Sequence, residues 1–491
     1  MRQMHIFADF TAGLNTDAAS DHLGANELLI ADNIDLSGRG GTKKRNGMKA
    51  INSSYEADVT SIFEWPRNNG DVIKMAIIGG KLCRINATNQ KTEIGSVSLP
   101  KVGQFAFQDK LYYLSGTDYM VYDGTTAESV PPHSNNTNDL APIKGCKFAV
   151  RHVKSQRFFY AGNSNEQAAL YFSEPGQPDY VKETSKLFPS TGDGPITGLA
   201  IFVDAVLVFF KRSIWVWRGI DPEIDAVWHK LPTSEGTIAP YSICHSKTGL
   251  MYLGERAIIN LSPSIIGMNV ELETKDQAVY HVTEKRIENL IRGIISPETT
   301  SAAYNSKTGE YYLSYSDVEG DFILVIDENL GIVRWSGIKA NDVYYSYDGE
   351  LLIATENYIL KPSSTYEDTQ PDGTTQNVSM VVQTPQYALG SHMQRKLLTR
   401  YQVVAQGENE DTPPLIPIPT TFNVEVLVDD KTAVSETFEM EPTENLFLAR
   451  KQFRKTGNRV SVIVKSDDNK PFTLYGIGIE AKVINSYGER V

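Results

Sequence analysis

From about residue 56 to residue 360, apolar residues cluster in short runs that return in one repeated order. A leading apolar run is followed by a hairpin of two more, and then by a more polar outer run. Runs of four to eight residues rich in Val, Ile, Tyr and Phe, bounded by Gly, Asn and Asp, read as strands. The hairpins are Val72–Ile78 with Lys81–Ile85, Lys110–Leu114 with Tyr119–Tyr122, Arg157–Ala161 with Ala168–Phe172, and Ala205–Phe210 with Ser213–Trp217. Leu250–Leu253 with Ala257–Leu261, Glu310–Ser314 with Phe322–Ile326, and Glu350–Ala354 with Tyr358–Leu360 complete the series. Leading strands begin near Thr60, Gln104, Lys147, Thr197, Tyr241, Ala302 and Val343. The repeat is therefore roughly 41–61 residues, close to the ~40–50 of a four-stranded propeller blade. Gly79-Gly80, Gly116-Thr117-Asp118, Lys307-Thr308-Gly309 and Asp348-Gly349 supply the turns. The pattern predicts an all-β chain with a β-propeller of six or seven blades.

Outside this repeat the pattern changes. Residues 1–50 form an arm without clear periodicity, in which only Asn26–Ile34 reads as a short helix. A Gly-rich turn follows, and in it Arg39, Lys43, Lys44 and Arg45 make the strongest local basic run. These four are candidates for contact with DNA or a partner; a solvated turn is the plainer alternative. Val282–Arg292 reads as an amphipathic helix with Ile287, Leu290 and Ile291 on one face, Thr283 as its cap and Gly293 at its end. Residues 361–376 are rich in Pro, Ser, Thr, Asp and Gly and read as a linker. Beyond it, Val378–Pro385, Leu397–Gln406, Phe422–Val428, Ser435–Met440, Leu446–Arg450, Val460–Lys465 and Phe472–Val483 predict a small antiparallel β-sandwich. Pro413, Pro414, Pro417 and Pro419 stiffen one loop of it, a candidate docking loop. The expected division is an arm (1–50), a propeller (51–360), a linker (361–376) and a sandwich (377–491).

Length agrees with this division, because 491 residues exceed what one ordinary core holds. The formal charge of −13 argues against a surface that grips nucleic acid throughout, since such surfaces carry a basic excess. No apolar run suits a signal peptide or a membrane span. Cys83, Cys146 and Cys244 lie far apart in strand-like runs and read as buried thiols of a chain made in a reducing cytoplasm.

Signatures of chemistry are absent from the sequence. There is no His-Glu-x-x-His, no paired Cys-x-x-Cys, no phosphate-binding Gly-x-x-x-x-Gly-Lys-Ser/Thr and no Gly-x-Ser-x-Gly. The expectation is a protein without catalysis, cofactor or metal. His152 and His245 sit in leading strands and could line a central channel, but read more simply as structural histidines. A sialidase-like propeller would need repeated Ser-x-Asp-x-Gly-x-x-Trp boxes, and Ser346-Tyr347-Asp348-Gly349 is one loose partial echo.

Several short motifs carry a resemblance. Thr11-Ala12-Gly13-Leu14-Asn15-Thr16, Ala31-Asp32-Asn33 and Lys44-Arg45-Asn46-Gly47 resemble the start of many phage tail proteins. Gly194-Pro195-Ile196-Thr197-Gly198-Leu199, the Lys211-Arg212-Ser213 turn and Ile214-Trp215-Val216-Trp217 resemble the tail accessory factor, or packaged-DNA stabilisation protein, of short-tailed phages. The resemblance implies a structural virion protein: a hexameric nozzle or hub ring below the portal and adaptor rings, with tailspikes or tail fibres around it. Double-stranded DNA would pass through the lumen without sequence-specific binding, and an acidic wall would let it slide. The rival expectation is a propeller that binds or cleaves carbohydrate.

Overall fold

The computed structural model describes residues 2–36, 40–136, 138–225, 227–267, 279–283, 285–370, 372–390, 394–407, 419–441 and 446–484. The chain is all-β, built mainly from small antiparallel sheets. Seven four-stranded meanders succeed one another. The first runs Val59–Pro66, Val72–Ile78, Lys81–Ile85 and Lys91–Ser96. The next four begin at Gln104–Phe107, Phe148–His152, Gly198–Phe202 and Cys244–His245. The sixth is Ser301–Asn305, Glu310–Asp317, Gly320–Ile326 and Ile332–Ser336. The seventh takes Asp342–Tyr345, Leu351–Ala354 and Ile359–Pro362 from its own stretch of chain. Its fourth strand, Met48–Ala50, comes from the arm.

Each meander buries a face against the next. Trp65 and Leu82 of the first sheet pack with Leu111 and Tyr113 of the second, and Phe105 with Phe158 and Tyr160 of the third. Phe159 meets Val208 and Trp217 of the fourth sheet, and Leu207 meets Tyr252 and Leu261 of the fifth. Val59, Ile62 and Ala76 of the first sheet share a core with Leu352, Ala354 and Ile359 of the seventh.

The arm differs from the sequence expectation. Asn26–Ile34 is not a helix: Glu27–Leu28 and Ile30–Asp32 are strands, and Asn33 has φ 55°. Ile30–Asp32 pairs in parallel with Ile332–Ser336 and antiparallel with Met380–Gln383. The sixth meander thereby continues through the arm into the C-terminal region as one 11-stranded sheet. Tertiary pairing overrides weak helix propensity in so short a segment. Two glycines make the close approaches possible. A Cβ on Gly13 would lie 2.1 Å from the Ile332 carbonyl oxygen, and one on Gly47 would lie 2.1 Å from that of Glu367.

C-terminal strands Lys396–Gln406, Phe447–Gly457 and Thr473–Val483 form one sheet, completed by arm strands Gln3–Phe7, Thr42–Lys44 and Ile34–Leu36. Thr420–Val428, Lys431–Met440 and Val460–Ser466 belong to the 11-stranded sheet. Leu398, Tyr401 and Val403 of one sheet and Phe422, Val424 and Val462 of the other belong to one core.

Two further expectations change. Residues 361–376 are not featureless, because Glu367–Thr369 and Thr375–Asn377 form a hairpin. The expected helix Val282–Arg292 shrinks to Glu288–Arg292. Buried Thr283 does not cap it but accepts the backbone N–H of Ile258 at 3.0 Å. The helix start is capped from the arm instead: the Asp17 carboxylate accepts the N–H groups of Glu288 and Asn289, the latter at 2.9 Å. Gly293 ends the helix as expected. Among the described residues, no helix is long and apolar enough to cross a membrane.

Candidate functional site

Among the described residues of the basic run, two of three are withdrawn from the surface. Lys44 and Arg45 are buried, which corrects their expected role as contacts for DNA or a partner. Thr42–Lys44 is a strand, and the backbone N–H of Lys44 donates to the Phe472 carbonyl. The Lys44 ammonium donates to the Asp468 carbonyl. Burial pulls its pKa down to about 8, against the attraction of Asp468 and Asp467. Arg45 donates through two nitrogens to the Asp368 carboxylate at 2.9 and 2.6 Å, and through Nε to Asn33 Oδ1 at 2.8 Å. Its guanidinium lies 5.5 Å from the Trp335 ring centroid. The arm, the sixth meander and the 367–377 hairpin thus meet at one cation. Lys43 is half-buried in the same strand. Arg39 lies outside the described residues, as do Pro413, Pro414 and Pro417 of the candidate docking loop. Pro419, half-buried, precedes strand Thr420–Val428.

His152 is a satisfied core histidine. Its Nδ1 is 2.7 Å from Ser155 Oγ and its Nε2 is 3.0 Å from the Asp204 carbonyl. Burial lowers its pKa. His245 is exposed beside Phe202, with ring centroids 6.1 Å apart. All three cysteines are free thiols, and burial pushes Cys83 up to about 11 and Cys244 up to about 12. Among the described residues, no group of three or more His, Cys, Asp or Glu side chains is placed to hold a metal ion.

A second buried polar convergence was not visible in the sequence. Asp342, in the leading strand of the seventh meander, accepts from Lys101 Nζ at 2.9 Å, from the Ile62 backbone N–H at 2.8 Å and from the Ser301 hydroxyl. Lys101 sits between the first and second meanders. Tyr241, between the fourth and fifth, holds its ring 5.0 Å from the ammonium and donates its hydroxyl to the Lys101 carbonyl at 3.4 Å. Burial lowers the Lys101 pKa while Asp342 opposes the shift. With its charge matched and the carboxylate saturated by donors, the pair acts as a lock between distant parts of the meander series. Beside it lies a cavity of about 280 Å³ lined by Thr60, Thr300, Ser314, Asp321 and Lys339. A second, of about 530 Å³, lies between the fifth and sixth meanders, with Asn260, Tyr280, Tyr304 and Asp327 in its wall. Nothing around Lys101 in sequence marks it out, since its partners are 140 and 241 residues away.

No protein-family model matches the chain, and no curated protein is similar to it in sequence. Two solved structures from B. thetaiotaomicron are similar in shape. One is the extracellular domain of a hybrid two-component system, with a TM-score of 0.38 and 10% identity over 66% of this chain and 41% of that one. The other is an extracellular domain of a one-component system, with a TM-score of 0.43 and 10% identity over 88% of this chain and 60% of that one. The chain thus spans less than two thirds of the length of either structure.

Proposed function

We propose that this chain is a structural virion protein of a bacteriophage tail. In this reading the seven meanders are the blades of a seven-bladed propeller, and the strands after residue 377 form a β-sandwich beside it. Copies of the chain, six by resemblance, assemble into a nozzle or hub ring below a portal or adaptor ring. The ring retains packaged DNA and conducts it during ejection, tailspikes or tail fibres attach around it, and the chain catalyses no reaction.

The observation that carries this reading is the lacing of the arm. Relative motion is the default between domains joined by a linker. Here Ile30–Asp32 hydrogen-bonds to the sixth meander on one side and to Met380–Gln383 on the other, while Arg45 is locked to Asp368. Such stitching suits a part that must keep its shape against packaged DNA. The Lys101–Asp342–Tyr241 cluster gathers residues from across the meander series, and in this reading the DNA path runs along the axis between copies. Closed rings need heterologous contacts between different faces of each copy.

Mass photometry and negative-stain imaging of the purified chain, alone and with its adaptor ring, test the proposal. Closed rings are expected. A chain that stays monomeric with the adaptor present and releases sugar from a glycan panel would instead support the carbohydrate reading.

A further inference from the structure

The exposed basic charge lies elsewhere than expected. Strand Phe447–Gly457 reads FLARKQFRKTG, with four basic residues and no acidic one, in a chain of net charge −13. It is an edge strand, pairing with Lys396–Gln406. Leu398, Tyr401 and Val403 point into the sandwich core. Alternation therefore sends Leu397, Arg400 and Gln402 to the outer face. Directly opposite them are Lys482, Gln452 and Arg450. Arg454, at the irregularity in this pairing, is also exposed. Arg400, Arg450, Arg454 and Lys482 thus share one face of the sheet.

That face holds little to neutralise them. Glu480 is its single carboxylate on Thr473–Val483; it accepts the Thr399 hydroxyl at 2.7 Å and is 4.0 Å from Arg400. Among the described residues, no carboxylate lies within ion-pair distance of Arg450, Arg454 or Lys482. Lys451 differs, because it pairs with Glu436 at 3.0 Å. Lysines on an edge strand commonly guard against unwanted strand pairing. That role does not explain Arg400 and Lys482, which lie on strands inside the sheet.

We propose that this outer face is a sequence-independent contact for the phosphate backbone of duplex DNA. The proposal rests on the tail reading for its biological setting but not for its chemistry. The four cations come from three neighbouring strands, so they offer a patch of positive charge, not a row, to the closely spaced phosphates of the duplex. Arginine forks bind phosphate bidentately and read no base from this position. About four such contacts give a hold that salt weakens steeply, which restrains DNA without fixing its sequence or register and departs from the acidic sliding wall expected from the sequence.

The test is fluorescence anisotropy of a short labelled duplex of mixed sequence with the full chain. With about four contacts, affinity should fall about a hundredfold between about 50 and about 200 mM salt. The triple variant R450Q/R454Q/K482Q should flatten the logarithmic salt slope by about three, with folding verified by circular dichroism. The exposed pair K211Q/R212Q, in a turn of the fourth meander, should leave the slope unchanged. An unaltered slope in the triple variant, or no binding at about 50 mM salt, overturns the proposal. If the triple variant dissociates the ring while DNA binding persists, the face meets an acidic surface of a second copy instead. The tail reading is judged separately, by whether the chain forms rings in particles.

Discussion

The seven meanders and the laced C-terminal sheets find partners for their strands in opposite ways. Within a meander each strand pairs with its neighbour in sequence, as Ala205–Phe209 does with Gly198–Phe202 and Ile214–Trp217. Partners are a few residues apart, so little loop-closure entropy opposes pairing. The arm pairs instead with strands about three hundred residues away: Asp32 takes Arg334 and Arg45 takes Asp368. Local pairing gives repeated, separately packed sheets, whereas distant pairing ties them to the rest of the molecule.

Removing residues 1–50 should have the largest effect. The seventh meander loses its outer strand, the 11-stranded sheet loses its bridge and the C-terminal sheet loses Gln3–Phe7. Aggregation, read by sedimentation, is the expected result; a soluble truncated chain with an unchanged melting curve would show the lacing to be dispensable. Next, Arg45→Ala strands Asp368 as a buried charge and should cost about 3–5 kcal/mol in urea unfolding. A loss below about 1 kcal/mol would mean the arm is not anchored there.

On the meander side, Leu207→Ala removes a fully buried side chain shared by the fourth and fifth sheets. It should cost about 2–5 kcal/mol, with hydrogen exchange rising in those two sheets more than in the laced strands. Exchange rising equally everywhere would erase the contrast between the two regions. The smallest effect near neutral pH concerns Lys44. Its pKa is about 8 in the fold against 10.5 for the free side chain. Between those values the unfolded chain holds more protons, so this site's contribution to stability rises with pH. The stability difference between the native chain and Lys44→Met should therefore shift in favour of the native chain as pH rises through that window. A difference that stays flat with pH would place the ammonium in water.

The same contrast explains what the sequence made legible. Hairpins such as Lys110–Leu114 with Tyr119–Tyr122 announce themselves through two Tyr-rich apolar runs and the Gly116-Thr117-Asp118 turn between them. All seven expected C-terminal strands are present with shifted ends; Asp429 and Asp430 make their turn at φ 50° and 63°. The break between the leading strand near Thr197 and the hairpin strand from Ala205 was also legible, and Val203 and Asp204 make it at φ 48° and 53° although neither is glycine. Arm strands of two or three residues carry no period of their own. Nor does a basic triplet disclose that Asp368 waits for Arg45 inside the fold. The exposed basic face escaped notice for the converse reason: its charges come from three strands and meet only once the register is set.

The most direct test is electron cryomicroscopy of particles that contain this chain. The account predicts a closed ring of copies on the tail axis, each copy a seven-sheet array laced to its C-terminal sheets by its own arm, with DNA on the ring axis. Finding the chain off the axis, or absent from particles and acting alone on glycans, would contradict it.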